Sequence, residues 1–353
     1  MECCQLALST MDLSRTHWWY QRALGFLAAG ERRYRDAPQF AAVPDLPDAA
    51  LDVWCLVGRQ PFMQVEMFEF TRPRMRPRRE GWRRSDIGYA GFGVQVPDFD
   101  RALDRISRTS GELLSDPVGP IGDRRVCLFD PDGVLVELME RHPLPAALTA
   151  EAHADAPAIC SVTLVVPDLE RAARFWVDVL GCVETAPNAV HEPEHESLWG
   201  LSGARRETAV VRSGTVLLEL VQYQGPMSRR RRAGYLISDQ GILNVAFGTT
   251  NADEFERAYA RAVAHGFRGH TAPWTVQDVA TVVYLTDPQG FSVECLHVQP
   301  HALARMGFIA NTTAEGGVSE RAGDSVREVS HGTHTNARSE TNGDARAALV
   351  SHT

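Results

Sequence analysis

The chain has 353 residues, enough for two domains of ordinary size, and its 44% apolar and 23% charged residues describe a globular protein that buries substantial cores. A formal charge of −9 gives no basic footprint for nucleic acid, and no apolar run approaches membrane-spanning length. Seven cysteines without CxxC spacing, most of them inside apolar runs, imply buried, reduced thiols rather than a disulfide framework. With no charged-then-apolar leader at the start, the expected location is cytoplasmic.

Gln5 to Ser9 reads as a strand. Asp12-Leu13-Ser14 then offers a helix cap ahead of Trp18, Trp19, Arg22 and Leu24, and Gly25 closes that helix. Strands are predicted at Leu51 to Val57 and Phe62 to Phe70. The pattern restarts with a strand at Tyr89 to Val96, a helix from Pro97-Asp98-Phe99-Asp100 to Thr109, and strands at Arg125 to Phe129 and Val134 to Met139. Between the last two, Asp130-Pro131-Asp132-Gly133 has hairpin-turn chemistry: Pro sets φ and Gly permits positive φ.

The second half repeats these events. A strand at Cys160 to Val166, a helix at Asp168 to Leu180 and strands at Ala209 to Arg212 and Val216 to Tyr223 come first. A strand at Leu243 to Gly248, a helix at Asp253 to His265 and strands at Thr281 to Thr286 and Phe291 to Val298 follow. Asp86-Ile87-Gly88 and Asp239-Gln240-Gly241 stand 153 residues apart, and Arg78-Arg79-Glu80-Gly81-Trp82 aligns with Arg231-Arg232-Ala233-Gly234-Tyr235 at the same offset. Asp12-Leu13 recurs as Asp168-Leu169, and Asp130-Pro131-Asp132-Gly133 as Asp287-Pro288-Gln289-Gly290. So long a period excludes a solenoid and implies two homologous modules, 1–142 and 158–300, joined by a Pro/Ala-rich linker at 143–157. The fold class is α+β, with four βαβββ units. Residues 310–353 carry few large apolar side chains and are expected to be a disordered tail. The arginine clusters Arg72 to Arg84 and Arg229 to Arg232 read as solvated linkers, with an anionic substrate or partner as the alternative.

The Asp-Leu opening of the first helix, its aromatic pair and its Leu-Gly close, with Asp-Pro-x-Gly ahead of the last strand of each module, resemble the vicinal oxygen chelate superfamily. That group includes glyoxalase I, extradiol dioxygenases, epimerases and bleomycin-binding proteins. The resemblance spans residues 3 to 300 and implies two cup-shaped curved sheets, each built from two units. It also implies a divalent metal on the first and last strands of paired units, which polarises vicinal substrate oxygens.

Carried over residue by residue, the resemblance puts Gln5, Gly91, Ser161 and Asn244 at the first-strand ligand positions of the four units. The last-strand carboxylates are Glu66, Glu137, Glu219 and Glu294. No first-strand position is His, so the two-His, one-carboxylate iron triad of extradiol dioxygenases is missing. Sequential pairing of units groups Gln5, Glu66, Gly91 and Glu137 in one cup, and Ser161, Glu219, Asn244 and Glu294 in the other. Swapped pairing groups Gln5, Glu66, Asn244 and Glu294, and leaves Gly91, Glu137, Ser161 and Glu219 for a vacant cup. The swapped metal set resembles the Gln/Glu/His/Glu arrangement of some glyoxalases, with Asn for His, and its oxygen donors suit Mn²⁺, Mg²⁺ or Zn²⁺. Glu137, Glu219 and Ser161 are then the second-cup candidates.

Glu66 and Glu294 are the candidate catalytic carboxylates, as ligand and base together, and His195 in the His191 to Glu196 loop is a candidate general base at the cup mouth. Alternatively, all four glutamates are remnants paired with arginines. His17 and His297 are expected to pack away from the site, and Tyr223 and Tyr284 are core residues with hydroxyls that a substrate oxygen would suit. The implied activity is a metal-dependent isomerase or epimerase, most concretely one acting on a cyclitol ketone of secondary metabolism, similar to the valiolone epimerases. The expected partner is a small-molecule substrate, with no nucleic acid and no membrane, for a monomer or homodimer. The alternatives are a non-catalytic binding or resistance protein, with Trp54, Phe62, Trp199 and Phe247 lining the cavity, and an extradiol-type dioxygenase.

Overall fold

Each of four helices opens on a side chain that accepts a hydrogen bond from the backbone N–H three residues on. In the computed structural model these pairs are Asp12 with Arg15, Asp98 with Arg101, Asp168 with Arg171 and Asn251 with Glu254. The helices are α1 (Leu13–Trp19), α2 (Phe99–Arg108), α3 (Leu169–Arg174) and α4 (Ala252–Ala264). α1 and α3 run on into π-turns at Tyr20–Leu24 and Phe175–Val179, and Gly25 ends the first of these at φ 92°. The structure describes residues 1–34, 46, 48–109, 111–144, 153–267, 269, 271–276, 278–287 and 289–311. Much of the predicted linker and the tail beyond Asn311 lie outside these.

The strands are β1 (Glu2–Ser9), β2 (Leu27–Tyr34), β3 (Ala50–Val57) and β4 (Gln64–Arg72) in unit one, and β5 (Gly88–Gln95), β6 (Arg125–Phe129) and β7 (Leu135–Met139) in unit two. Unit three supplies β8 (Ala158–Val165), β9 (Val183–Thr185), β10 (Arg205–Ser213) and β11 (Val216–Gly225). Unit four supplies β12 (Gly241–Thr249), β13 (Trp274–Val276), β14 (Ala280–Thr286) and β15 (Ser292–Val298). β2, β9 and β13 were not expected from the sequence: β9 and β13 are three-residue edge strands, and β2 reads Leu-Ala-Ala-Gly-Glu-Arg-Arg-Tyr, with no β-branched residue. Among the described residues, unit two has no strand between α2 and β6. Isolated bridges at Leu113 to Leu128 and Val118 to Arg125 stand in its place.

The strands form two sheets, ordered β13-β14-β15-β12-β1-β4-β3-β2 and β6-β7-β5-β8-β11-β10-β9. Unit one therefore pairs with unit four, and unit two with unit three. The joints are antiparallel: β1 on β12 with Ala7 opposite Asn244, and β5 on β8 with Gly91 opposite Thr163. Two register shifts in each joint place bulges at the centre of each sheet, where they bend the strands. One large core connects both sheets to the helices through Leu6, Tyr20, Phe92, Trp176, Phe247 and Phe291, all buried. All seven cysteines are free and buried. No helix among the described residues is long and apolar enough to cross a membrane.

The arginine-rich approaches are only partly solvated, which corrects the expectation from charge alone: Arg74, Arg79 and Arg230 are exposed, but Arg84 is buried and Arg76, Arg83 and Arg229 are paired. Arg76 donates to both carboxylate oxygens of Asp239, at 2.6 Å each, and 153 residues on, Arg229 makes the matching pair with Asp86. Backbone bonds repeat the exchange, from Gln240 N–H to Arg76 O and from Ile87 N–H to Arg229 O, both at 3.0 Å. The repeated Ser-Asp joint is thus a reciprocal clasp in which each module supplies the arginine for the other's aspartate. With Arg229 and Arg83 beside it, the Asp86 carboxyl is drawn down to about 2. Asp86→Ala is expected to lower the thermal midpoint at neutral pH. Asp239→Ala should add to that loss independently, since the two clasps share no partner; an unchanged midpoint in the double variant would show that they carry no stability.

Candidate functional site

In the sheet of units one and four, the inner strands bring the four swapped-pairing residues around a pair of small side chains. Glu66 lies in register with Ala7, Glu294 with Ala246, and Asn244 opposite Ala7, while Gln5 stands opposite Ala246. Ala7 and Ala246 leave the space between the longer side chains open. All four polar residues are buried, yet a cavity of about 510 Å³ opens onto Gln5, Glu66 and Glu294, with Arg32, Tyr284 and Trp274 in its wall. Residues beyond the predicted module end complete the wall at Ala304, Arg305 and Met306. Asn311 pins that segment to β2 by donating to Ala28 O at 2.9 Å and to Ala29 O at 2.8 Å.

The polar atoms here are poorly satisfied. Gln5 Nε2 reaches Glu66 Oε2 at 3.4 Å, but Gln5 Oε1, both amide atoms of Asn244 and Glu294 Oε2 are buried without a hydrogen-bond partner. Each such group costs about 1–3 kcal/mol, so several at one point mark a place built for a polar guest. Burial, and then the neighbouring Glu66, push the Glu294 carboxyl well above the usual carboxylate range; Arg32 opposes this, as do Tyr284 and Asn244, which lie near Glu294 without forming a well-aligned hydrogen bond to it. Burial also raises Glu66, but less freely, because Arg32 forms an ion pair with it. Two carboxylates share one arginine, and a cation among them would relieve both their repulsion and the unpaired oxygens. Among the described residues no group of three or more His, Cys, Asp or Glu is placed to hold a metal. A hard divalent cation placed here would have as donors the two carboxylates and the amide oxygens of Gln5 and Asn244.

In the sheet of units two and three the glutamates are capped by the protein's own cations, and a cavity of about 540 Å³ reaches His191 and Arg206 but neither glutamate. His191 lies between the two glutamates, with Nε2 at 2.5 Å from Glu137 and Nδ1 at 2.7 Å from Glu219. Arg125 pairs with Glu137 at 3.1 Å, and Arg84 and Arg206 approach Glu219 at 3.5 and 3.4 Å. These charges hold both carboxyls down at about 2 and raise His191, against burial that acts the other way on all three. Thr163, not Ser161, is the first-strand residue that joins the cluster, bonding Glu219 and Arg84 at 2.9 Å each. Ser161 is buried beside Gly93, where an added Cβ would come within 2.4 Å of its hydroxyl.

Gly91 explains how Arg84 enters. A Cβ there would lie 2.7 Å from Leu135 O and 3.1 Å from the Arg84 guanidinium. Gly91→Ala is expected to cost about 1–3 kcal/mol by overpacking. Chemical denaturation checks this, and a cost near zero would mean that Arg84 has room to spare.

The remaining sequence candidates lie outside the open cup, and His195 and Trp199 border the closed cluster at His191. His195 Nδ1 accepts from the Glu192 N–H at 3.0 Å, so it caps its own loop turn, on the side of the closed cup; burial lowers its pKa. Tyr223 donates to Glu196 at 2.8 Å. His17 packs edge-on against Trp54 with ring centres 5.0 Å apart, and His297 is buried against Phe255. Phe62 stacks on Phe308, Phe247 packs on Trp176, and Trp199 lies under the Arg84 guanidinium at 3.9 Å. None of Trp54, Phe62, Trp199 and Phe247 lines the open cavity, whose aromatic residues are Phe68, Trp274 and Tyr284. The sequence reading missed Arg32 because β2 was not read as a strand, and missed His191 as a bridge because its loop position gave no register.

Residues 4–138 and 158–295 each match the profile of the Glyoxalase/Bleomycin resistance protein/Dioxygenase superfamily. The chain belongs to this superfamily. Among sequence relatives in the superfamily, it is 28% identical over 123 residues to lactoylglutathione lyase GLX1 of Arabidopsis thaliana, covering 34% of this chain and 38% of that protein. It is 33% identical over 102 residues to lactoylglutathione lyase of Oryza sativa subsp. japonica, covering 27% of this chain and 31% of that one. The chain thus spans about a third of the length of the relatives it matches. The glyoxalase I structure from Zea mays superposes with a TM-score of 0.57 at 18% identity, covering 84% of this chain and 92% of the other, which shows the shared two-module fold.

Proposed function

We propose that the protein is a divalent-metal-dependent isomerase or epimerase that acts in the cup of units one and four. The observation that carries this reading is the contrast between the cups. Four glutamates occupy equivalent positions, but only Glu66 and Glu294 face a cavity with unsatisfied oxygens around them, while Glu137 and Glu219 are closed by His191 and three arginines. A bound cation would be held by Gln5, Glu66, Asn244 and Glu294 and would acidify a C–H next to a substrate carbonyl. Glu66, fixed by Arg32 and Gln5, is the stationary carboxylate. Glu294, whose Oε2 has no partner, is the carboxylate free to act as the base that takes the proton and returns it. Tyr284, in register with Glu294 across β14 and β15, offers a hydroxyl for the substrate oxygen. A cavity of about 510 Å³ suits a small oxygenated metabolite, and a cyclitol ketone of secondary metabolism is the specific substrate class we assign.

Proton exchange tests this reading. Cyclic hydroxyketones incubated with protein and Mn²⁺ in deuterated water should gain deuterium next to the carbonyl, and Glu294→Gln should stop the exchange. Equal exchange by the variant would contradict the role of Glu294. The second reading is a binding-only cup, favoured by the Arg32 ion pair that already neutralises Glu66; tight binding of such ketones without exchange would support it.

A further inference from the structure

A second cavity, of about 100 Å³, lies where the two arginine-rich approaches meet, away from both glutamate clusters. Five arginines are among its lining residues: Arg78 and Arg79 from module one, and Arg230, Arg231 and Arg232 from module two. Among the described residues none of the five has a carboxylate partner. Arg78 donates to Gly133 O and lies over the Trp82 ring at 3.6 Å. Arg231, its equivalent 153 residues on, donates to Gly290 O at 2.8 Å and Gln289 O at 3.0 Å and lies over Tyr235, the equivalent of Trp82, at 5.1 Å and over Phe291 at 4.6 Å. Arg232 donates to Pro77 O at 3.2 Å, while Arg79 and Arg230 are exposed. The acidic groups in the wall, Asp86 and Asp239, are already committed to Arg229 and Arg76.

Carbonyl oxygens hold these cations in position but do not neutralise them. Burial pulls Arg78 down to about 10, and the charges of Asp130 and Asp86, neither of which pairs with it, offset this only in part. Arg78, Arg231 and Arg232 are half-buried and fixed by carbonyl oxygens, so this part of the cleft is not a freely solvated face. Arg78 and Arg231 repeat the same carbonyl and aromatic contacts, so the cleft presents two equivalent cationic ends.

We propose that this cleft binds a small multivalent oxyanion of the pyrophosphate class, with one anionic end on each module's arginines. Guanidinium pairs match the oxygens of such groups and keep their charge at any physiological pH. At about 10–15 Å³ per water-sized site, the cavity holds a ligand of roughly this size. Because the arginines come from both modules, the bound anion would also tie the modules together, and stabilisation by mass action should follow.

Inorganic pyrophosphate is the probe, added to the full chain in chelator-treated buffer at low salt and followed by calorimetry and thermal melting. The expected result is saturable binding, a raised thermal midpoint, and affinity at least tenfold above that for orthophosphate. Arg79→Glu with Arg230→Glu, at two exposed positions whose side chains have no hydrogen-bond or ion-pair partner among the described residues, should weaken binding at least tenfold while the protein stays folded. Glu294→Gln should bind as the unaltered protein does, which separates this site from the cup. The proposal is overturned by no binding at millimolar pyrophosphate, by equal affinity for orthophosphate, by undiminished binding in the double variant, or by loss of binding in Glu294→Gln.

Discussion

Replacing His191 by alanine is expected to destabilise the protein by about 3–5 kcal/mol, the usual cost of removing one partner from a buried charge cluster. His191 is 2% exposed and bonds both Glu137 and Glu219, so its loss leaves two buried carboxylates with Arg125 on Glu137 and with Arg84, Arg206 and Thr163 on Glu219. The pH dependence has a definite sign. Both glutamates titrate near 2 in the folded chain against an ordinary 4.5, so their contribution is complete above 4.5 and is lost as the pH falls from 4.5 towards 2. His191 is raised above 6.5, so its contribution is complete below 6.5 and is lost as the pH rises through its folded value. Stability should therefore peak in mildly acidic solution and fall on both sides, and His191→Ala should flatten the alkaline limb. Denaturant melts across this range check both statements; a variant within 1 kcal/mol of the parent would mean the cluster is not what closes this cup.

The open cup should respond in the opposite way. Without metal, Glu294 is a buried carboxyl whose folded pKa is raised, so its ionisation opposes folding once the pH exceeds its ordinary value. Glu294→Gln should therefore stabilise the metal-free protein at pH 8 and change little at pH 4. The same substitution should weaken Mn²⁺ binding by roughly a hundredfold, since it removes a ligand charge and not merely an outer-shell bond. Stability gained without metal and lost with it would show a site arranged for a cation. A variant that is destabilised at pH 8 in chelator would instead mean that Glu294 is a structural anion like Glu137.

The sequence made the architecture legible through chemistry that repeats locally. Asp12, Asp98 and Asp168 cap helices where the spacing placed caps, and the Asp130 and Asp287 carboxylates close their turns on the N–H groups two and four residues on. Register counted from those landmarks led to Gln5, Glu66, Asn244 and Glu294, but it left two pairings of units open, because strand order across 240 residues has no local signature. The decisive contacts are long-range: Ala7 with Asn244, and Gly91 with Thr163. The closed cup was harder to read. It depends on Arg84 passing over Gly91, on Arg125 and Arg206 reaching from neighbouring strands, and on a loop histidine, none of which follows any periodic pattern. The arginine clusters were misread because charge along the chain does not reveal that each partner aspartate lies in the other module.

Metal stoichiometry tests the central claim most directly, namely that swapped pairing produces one open cup and one closed one. Protein purified without a His tag, stripped with chelator and titrated with Mn²⁺ should bind one ion per chain. Binding should be lost in Glu66→Ala and Glu294→Ala and retained in Glu219→Gln. Two ions per chain, none, or one that survives both alanine substitutions would contradict it.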